Sequence, residues 1–495
     1  MTSFRYASIR EIHDAYLTGK TTVRDVVDEF LSLIEIYNPY LRAVIEVNPD
    51  ARTIAAVLDE QLKTILGNRQ STKNDTDPLP LLFGIPVLLK DNIATGDKLH
   101  TSAGAAALAD LSAPEDAPCA GNLRQAGAVI LGKANLSEFA NYYTEDNPNG
   151  FSARGGQTVS PYEPVPEDLS VFELGRYKQE EHFDPSGSSS GSGVAAAAGL
   201  CTVAVGTETS GSILSPSVCN GLVGCKPTAG LVSNEAVIPI SPTLDTPGPM
   251  ARSFDDCARL LAALAGLSQE AFVSQYPDKS LSSFSDLKLG VVLPPRGEDR
   301  GKWDPSDEEC DAFDALLMTL EKAGVRLMRG ADRGTNDGIM DLMKYEIKGS
   351  INAFLSWANN GTDSQINTLT DILDYTHAHP EFSPYGHTLL EARDKDTSGK
   401  MDEPEYFEAL KKRKNAQEKM DQYLKENQLD AILSIDFPIF APFGGFPAVT
   451  IPLGLDSKGY PIGVYLFARP GEDFRLLTIG KALQTLIDPM PHPAI

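Results

Sequence analysis

The chain has 495 residues, of which 42% are hydrophobic, a length and composition sufficient to bury a large core. It carries 43 basic and 68 acidic residues, and the resulting net charge of −25 disfavours nucleic acid and anionic membranes as partners. No apolar run reaches the roughly 18–20 residues that cross a bilayer, and the N-terminal segment lacks the apolar core of a signal peptide. The six cysteines show no CxxC spacing and fit reduced thiols. We therefore expect a cytoplasmic protein without a nucleic-acid or membrane partner.

The first half of the chain changes from a helical to an alternating pattern. Residues 1–70 predict mainly helices, and a polar loop is expected over 68–79. Residues 80–260 alternate apolar strand patterns with alanine-rich helical patterns, as α/β proteins do. Within them, Val194–Leu200 predicts the first turns of a helix whose N-terminus faces a serine-rich segment.

The second half continues the mixture of strands and helices. A strand is expected over 287–294 and a helix around 308–323. Residues 340–430 predict long helices with lysine and glutamate on their exposed faces, and 431–469 return to strands. Length alone is typical of two or three domains.

Small hydroxyl residues dominate the segment between Pro185 and Leu214, which holds seven serines and Glu208 as its one acid. Glycines among them let backbone amides approach a reacting atom closely. A serine hydroxyl is a weak nucleophile unless a base activates it, and no histidine lies in this segment. The activating base must therefore come from elsewhere in the chain.

Lys90 is the candidate base. It ends the uncharged stretch Leu81–Leu89, whose composition is typical of a buried strand. Burial lowers the pKa of a lysine, and a lysine that is neutral near pH 7 is a general base. The alternative is a side chain that reaches the surface from the end of the strand.

Several segments together resemble the amidase signature family, and within it the peptide amidase type. They read LFGIPVLLKDNI (82–93), AGAVILGKANLSEFAN (126–141), FSARGGQT (151–158), GSSSGSG (187–193), GTETSGSI (206–213), GLVGCKPTAGLVS (221–233), DTPGPMARS (245–253), GGFPAVTIPLG (444–454) and GYPIGVYLFAR (459–469). The resemblance implies an α/β/α sandwich around a large mixed β-sheet. Because it spans nearly the whole chain, we expect one domain over 1–495, with 1–70 as a helical region, 80–260 as the core and 340–430 as helices that cover the pocket.

The resemblance also implies a serine–serine–lysine triad. Ser212 takes the position of the nucleophile, Ser188 that of the bridging serine, and Lys90 that of the base. A cis peptide bond is implied between Gly187 and Ser188, and Ser189 is expected to hold the lysine and the bridging serine. The implied oxyanion hole consists of the backbone N–H groups of Thr209, Ser210, Gly211 and Ser212.

The activity implied is hydrolysis of a carboxylic or peptide C-terminal amide through an acyl-enzyme, which releases ammonia or an amine. The expected partner is a small-molecule or peptide amide, and no cofactor or metal is expected. Two alternatives use the same residues: an acyltransferase that forms amides, and a subunit of a tRNA-dependent amidotransferase. The acyl group accepted and the oligomeric state are left open by the sequence.

Three features depart from the family pattern. Ser210 stands where many members have glycine or aspartate, and Leu214 stands where many have an arginine that forms a structural ion pair. An insertion over 162–182 is polar and contains proline, so it is expected to be a surface excursion or a lid over the substrate.

Two further patterns are typical of metal sites. Residues 394–405 match the spacing of an EF-hand calcium loop, although the same residues fit an acidic connector between helices. His377 and His379 are two residues apart and face different sides of a helix, so a shared ion is not expected there.

Overall fold

A large mixed β-sheet organises the computed structural model, which describes residues 3–69, 79–164, 177–276, 281, 283–296 and 304–495. Eleven strands form this sheet, and two short strands pair separately. In chain order the strands are β1 (Val44–Val47), β2 (Pro86–Lys90), β3 (Val129–Ala134), β4 (Phe151–Ser152), β5 (Gly156–Gln157), β6 (Val203–Glu208), β7 (Val223–Lys226), β8 (Thr246–Ala251), β9 (Lys288–Val291), β10 (Arg326–Arg329), β11 (Ala431–Ser434), β12 (Ala448–Leu455) and β13 (Pro461–Phe467).

The strand order is β1-β3-β2-β6-β8-β7-β12-β13-β11-β9-β10. Strand β2 lies between β3 and β6 and runs parallel to both. The pairs β6–β8, β8–β7, β7–β12 and β12–β13 are antiparallel, which makes the sheet mixed. The sequence prediction of a large mixed sheet is confirmed.

The α-helices of the described residues are α1 (Ile9–Leu17), α2 (Val23–Leu41), α3 (Ala51–Arg69), α4 (Pro118–Gln125), α5 (Ser190–Ala197), α6 (Leu214–Cys219), α7 (Phe254–Leu264), α8 (Gln269–Gln275), α9 (Asp307–Ala323), α10 (Ile339–Ala358), α11 (Leu369–Ala378), α12 (Thr388–Asp396), α13 (Pro404–Glu426), α14 (Phe440–Gly444) and α15 (Asp473–Gln484). Capping boxes stabilise the N-termini of some of them: Thr22 and Asp25 form one on α2, and Thr368 and Asp371 form one on α11. None of these helices is both long and apolar enough to cross a membrane.

Helices cover both faces of the sheet. Successive residues of a strand point to opposite faces. Accordingly, Leu433 packs in a hydrophobic cluster with α1, α2, α7 and α15, whereas its neighbour Ile432 packs in a second cluster with α10, α11 and α13. The same division separates Val449 from Ala448. The α/β/α layering is therefore confirmed, and α10 to α13 occupy one face.

The boundaries differ from the sequence predictions at a few places. The predicted helical N-terminal region contains β1, an antiparallel edge strand beside β3. The helix expected over Val194–Leu200 begins earlier, at Ser190, inside the serine-rich segment. Most of the expected polar loop at 68–79 and the middle of the 162–182 insertion lie outside the described residues.

Candidate active site

Lys90 occupies the carboxyl end of β2, the third strand from one edge of the sheet, and its side chain is fully buried. Its Nζ lies 2.7 Å from Ser188 Oγ and 3.1 Å from the carbonyl oxygen of Thr207. The alternative of a lysine that reaches the surface is therefore wrong. The apolar residues of β2 place this amine in the interior because neighbouring strands cover both edges of β2.

The pKa of Lys90 is lowered to about 7. Burial is the main cause, because it withdraws water from the ammonium form. The negative charges of Asp245 and Glu208 act in the opposite direction and raise the pKa. A large fraction of Lys90 is therefore neutral at physiological pH and can accept a proton.

Ser188 and Ser189 lie in the turn that leads into α5, and both side chains are fully buried. The peptide bond between Gly187 and Ser188 is cis, as the family resemblance implied. A Cβ atom at Gly187 would lie 2.5 Å from Ser137 Oγ and 2.9 Å from Asn149 Oδ1, so a side chain there would have to displace both. The amide of Ser137 donates to the Ser188 carbonyl at 3.0 Å, which fixes the turn from its other side.

Ser189 joins the two serine-bearing segments. Its hydroxyl donates to the Thr207 carbonyl and accepts from the Thr207 amide, each at 3.2 Å. Its own amide donates to the carbonyl of Ser212 at 3.1 Å. Lys90 and Ser189 thus share the Thr207 carbonyl, and Ser212 is held beside the Ser188–Ser189 pair through its backbone.

Ser212 lies in the turn between β6 and α6, and its side chain is 7% exposed. The buried carboxylate of Glu208 shapes this turn by accepting from the amides of Ile213 at 2.7 Å and Leu214 at 2.9 Å. Gly211 adopts a φ of 98°, a conformation that favours glycine. The turn therefore holds Ser212 in a mostly buried position, with a small part of the residue accessible to solvent.

The same turn offers free backbone donors. Within the described part of the chain, the amides of Thr209, Ser210 and Ser212 have no hydrogen-bond acceptor, whereas the fourth amide expected in the oxyanion hole, that of Gly211, donates to the Glu208 carboxylate. Such amides, held on a rigid turn next to a hydroxyl nucleophile, suit the stabilisation of an oxyanion. The Ser210 side chain is exposed and leaves its amide in place.

Asp245 holds this turn from the neighbouring segment, a contact that sequence reasoning missed. Its Oδ1 accepts from the hydroxyl of Thr209 at 2.5 Å, and its Oδ2 accepts from the amides of Ile240 and Ser241. Burial raises the pKa of Asp245 to about 7. The segment DTPGPMARS contributed to the family resemblance, but the contact with Thr209 could not be read from it.

An aromatic pair borders the turn on another side. A Cβ atom placed at Gly211 would lie 3.2 Å from the ring of Phe437. The ring of Phe437 packs edge-to-face on Tyr465, with centroids 5.9 Å apart. Phe437 lies in the segment after β11, and Tyr465 lies in β13. Both rings therefore come from the C-terminal part of the chain. The sequence contained no signal that these rings reach the serine segment.

The structure accounts for some of the departures from the family pattern. Leu214 is fully buried in the hydrophobic cluster under α10 to α13, so packing replaces an ion pair at this position. Residues 165–176 of the insertion are outside the described residues. Its ends are anchored, because Tyr162 donates to the Pro491 carbonyl at 3.1 Å and His182 lies 2.5 Å from Glu163. The role of the insertion as a lid stays a prediction.

The calcium loop suggested by residues 394–405 does not form. Asp394 lies inside α12, where its carboxylate pairs with Lys348 at 3.1 Å and accepts from Thr370. Glu405 is exposed in the first turn of α13. The acidic side chains of this segment therefore do not converge, and the connector interpretation fits the structure.

Comparisons with known proteins identify the family of this chain. The model of the Amidase family matches residues 25–442. A probable amidase of Arabidopsis thaliana is 33% identical over 99% of this chain and 92% of its own length. A glutamyl-tRNA(Gln) amidotransferase subunit from Rippkaea orientalis is 28% identical, with 97% of each chain covered.

Among solved structures, the native peptide amidase from Stenotrophomonas maltophilia superposes with a TM-score of 0.80 at 30% identity, covering 99% of both chains. The fold, the length of the matched region and the identity to these relatives all point to the same group. The chain therefore belongs to the amidase signature family and is an amide-hydrolysing enzyme.

Proposed function

We propose that this enzyme hydrolyses a carboxylic or peptide C-terminal amide through an ester formed on Ser212. The observation that carries the proposal is the buried contact of 2.7 Å between Lys90 Nζ and Ser188 Oγ. An amine whose pKa is lowered to about 7 beside a hydroxyl is suited to withdraw a proton from it. Ser188 would in turn withdraw the proton of Ser212.

In the first half of the reaction, Ser212 Oγ attacks the carbonyl carbon of the amide. Its proton passes to Ser188, and the proton of Ser188 passes to Lys90. The amides of Thr209, Ser210 and Ser212 stabilise the negative oxygen, and loss of one donor of this kind costs about 2.7–4 kcal/mol in other enzymes. The C–N bond then breaks, and the relay returns a proton to the departing nitrogen.

In the second half, water attacks the ester carbon while the relay again accepts a proton. The bond to Ser212 Oγ breaks and Ser212 regains its proton, so the enzyme returns to its starting state. The products are a carboxylic acid and ammonia or an amine. If an amine replaced water in this step, the product would be a new amide, as in the acyltransferase alternative.

We further propose that the acyl part of the substrate lies against Phe437. The ring of Phe437 borders the turn that carries Ser212, and Tyr465 supports it. Aromatic walls of this kind favour apolar or aromatic groups. An amide with an aromatic or large aliphatic acyl group is therefore the expected substrate class.

A second candidate is a role as the ammonia-releasing component of a tRNA-dependent amidotransferase. The observation that favours it is the similarity to the Rippkaea orientalis amidotransferase protein over nearly the whole chain. Such a component works within an assembly, whereas a stand-alone amidase does not need partners. The two candidates therefore differ in what the purified chain does without a partner.

The deciding experiment measures ammonia released by the purified chain from N-acylated peptide amides and from glutamine. Ready turnover of peptide amides, lost in Ser212→Ala and kept in Ser32→Ala, is expected; Ser32 is an exposed serine on α2. A fluorophosphonate should label Ser212, which mass spectrometry of the modified peptide would identify. Turnover of glutamine alone, or none until a partner is added, would favour the amidotransferase role. Transfer to hydroxylamine in preference to water would favour the acyltransferase.

A further inference from the structure

Three potential metal ligands meet on the helices that cover one face of the sheet. The ligand atoms of His377, His387 and Glu391 all lie within 4.8 Å of one another. His377 Nε2 is 3.6 Å from Glu391 Oε1, and the two imidazole rings are 4.6 Å apart at an angle of 70°. In the described part of the chain, this is the one such group of three or more His, Cys, Asp or Glu side chains.

The local fold brings these residues together across a turn. His377 lies in the last turn of α11, and Glu391 lies in the first turn of α12. His387 immediately precedes α12, four residues before Glu391, a separation that places side chains on the same side of a helix. The sequence analysis considered His377 together with His379, but these two side chains face different sides of a helix and do not share an ion. The partners of His377 instead come from the far side of the turn.

We propose that His377, His387 and Glu391 bind a divalent transition metal ion of the Zn²⁺ class, with water as the fourth ligand. Two imidazoles and one carboxylate form a donor set that zinc accepts readily, whereas calcium and magnesium prefer oxygen donors. This binding does not depend on the catalytic proposal, because none of the three residues belongs to the serine–lysine site.

The surroundings of His387 support this assignment. Its Nδ1 lies 3.3 Å from Ser383 Oγ, which leaves Nε2 to face the ion. A hydrogen bond to the second ring nitrogen is the usual way in which proteins orient a metal-binding histidine. The ring of Tyr143 lies beside that of His387, with centroids 6.2 Å apart.

Glu391 must give up its ion pair with Lys395 when the metal ion binds. Lys395 Nζ donates to Glu391 Oε1 at 2.9 Å, and the Lys395 side chain is 69% exposed. An exposed ion pair of this kind contributes little to stability, so the lysine can move into solvent at low cost. The His377 side chain is itself 49% exposed, which gives the ion access to the site.

The bound ion would brace a region that leads to the serine turn. The carbonyl of Tyr143 accepts from the amides of Leu389 and Leu390 in the first turn of α12. Tyr143 stacks on Phe139 with centroids 5.8 Å apart. Two residues before Phe139, the amide of Ser137 donates to the Ser188 carbonyl. These contacts connect α12 to the segment that supports Ser188, and an ion held between α11 and α12 would add α11 to that connection.

The test is calorimetric titration of the chelator-treated full chain with ZnCl₂ near pH 7.5, where histidine is largely neutral. One ion per chain is expected. His377→Ala and His387→Ala should each weaken binding by at least about tenfold. His379→Ala is the matched control, because His379 is an exposed histidine outside the cluster, and it should bind as the parent does. Addition of Ca²⁺ or Mg²⁺ should not displace the zinc.

A second measurement identifies the ligands directly. X-ray absorption of the zinc-loaded chain should show two imidazole nitrogens at about 2.0–2.1 Å. Circular dichroism of each variant checks that it is folded. The proposal is overturned if no zinc binds, if more than one ion binds with equal affinity, or if His379→Ala weakens binding as much as His377→Ala does. Failure of the amidase assays would leave these outcomes unchanged.

Discussion

The exclusion of water from Lys90 decides whether its amine can be neutral at physiological pH. Lys90 is buried among β-strands, and the hydroxyl of Ser188 lies 2.7 Å from its amine. Without burial, the lysine would keep its proton at neutral pH and could not act as a base. The proposed role of Lys90 as a base thus depends on the apolar residues that precede it as much as on the serines.

The first prediction concerns pH. Because the pKa of Lys90 is lowered to about 7, Lys90 is protonated and inactive below that pH and neutral above it. We expect kcat/KM to rise with pH and reach half of its plateau near pH 7. Lys90→Met should lower kcat/KM by about 10²–10⁴-fold, with Lys63→Met, an exposed lysine on α3, as the control. A profile that stays flat through pH 7 would contradict the role of Lys90 as the base.

A second prediction distinguishes two effects of Asp245, its negative charge on the pKa of Lys90 and its hydrogen bond to Thr209. The Asp245 carboxylate raises the pKa of Lys90, so Asp245→Asn should lower that pKa and move the acid limb of the profile to lower pH. The plateau should also fall, because the hydrogen bond that holds Thr209 is weakened. Steady-state rates over a pH series measure both effects. A shift of the limb to higher pH would show that the sign of this interaction is wrong.

The candidate site residues Lys90, Ser188 and Ser212 could be proposed from the sequence because they stand inside short segments with strong resemblance to the family. Asp245 and Phe437 could not be assigned roles in the same way. Asp245 reaches Thr209 across 36 residues, and Phe437 reaches Gly211 from the far end of the chain. Contacts of this kind arise from the packing of the sheet, and a linear pattern of residue types does not contain them.

The strands and helices position the candidate active site because their ends fix where the segments that carry Lys90, Ser188 and Ser212 lie. Strand β2 ends at Lys90, strand β6 ends just before the Ser212 turn, and α5 begins just after Ser189. The sequence predicted the strands well because their apolar runs are clear. It missed the start of α5 at Ser190, because serine and glycine are weak helix formers whose role there depends on tertiary contacts.

The helix α10 is joined to the segment beside the active-site turn by one buried carboxylate. Glu346 accepts hydrogen bonds from Ser241 Oγ at 2.6 Å, from Thr243 Oγ1 at 2.5 Å and from the Tyr406 hydroxyl at 2.9 Å. Ser241 also donates its amide to Asp245. Glu346 therefore ties α10 and α13 to the loop that supports Thr209.

The third prediction follows from this arrangement. Glu346→Ala leaves one buried hydroxyl group, that of Ser241, and two half-buried ones, those of Thr243 and Tyr406, without their acceptor, and should lower the free energy of unfolding by about 2–3 kcal/mol. Urea denaturation measures this change. The control is Glu408→Ala, an exposed glutamate on α13 that pairs with Lys411, and it should alter stability by less than about 0.5 kcal/mol. Equal effects of the two substitutions would contradict the anchoring role of Glu346.

The molecule as a whole combines a wide mixed sheet with a strongly acidic composition. The net charge of −25 bears on the choice between the two candidate functions, because tRNA is itself a polyanion. The layered fold could be predicted from the resemblance, which extends over most of the chain. The sequence could not predict which loops meet above the sheet, because such contacts join segments that are distant in the chain.

The fourth prediction is made for the intact chain. At physiological salt, the protein should not bind tRNA measurably in a fluorescence anisotropy titration, since its charge repels phosphates. A basic tRNA-binding protein serves as the positive control. Micromolar binding that weakens as salt is added would instead indicate a local basic surface and would revive the amidotransferase role.

The placement of Lys90 at the end of an inner strand has a consequence for how this enzyme can be re-engineered. Both edges of β2 are paired with parallel neighbours, so the backbone at Lys90 is held in place. If Lys90 is the base, as proposed, selectivity is best altered at positions such as Phe437, which border the Ser212 turn and take no part in the proposed proton transfer. Libraries confined to those positions should yield variants with new substrate ranges that retain the pH optimum of the parent.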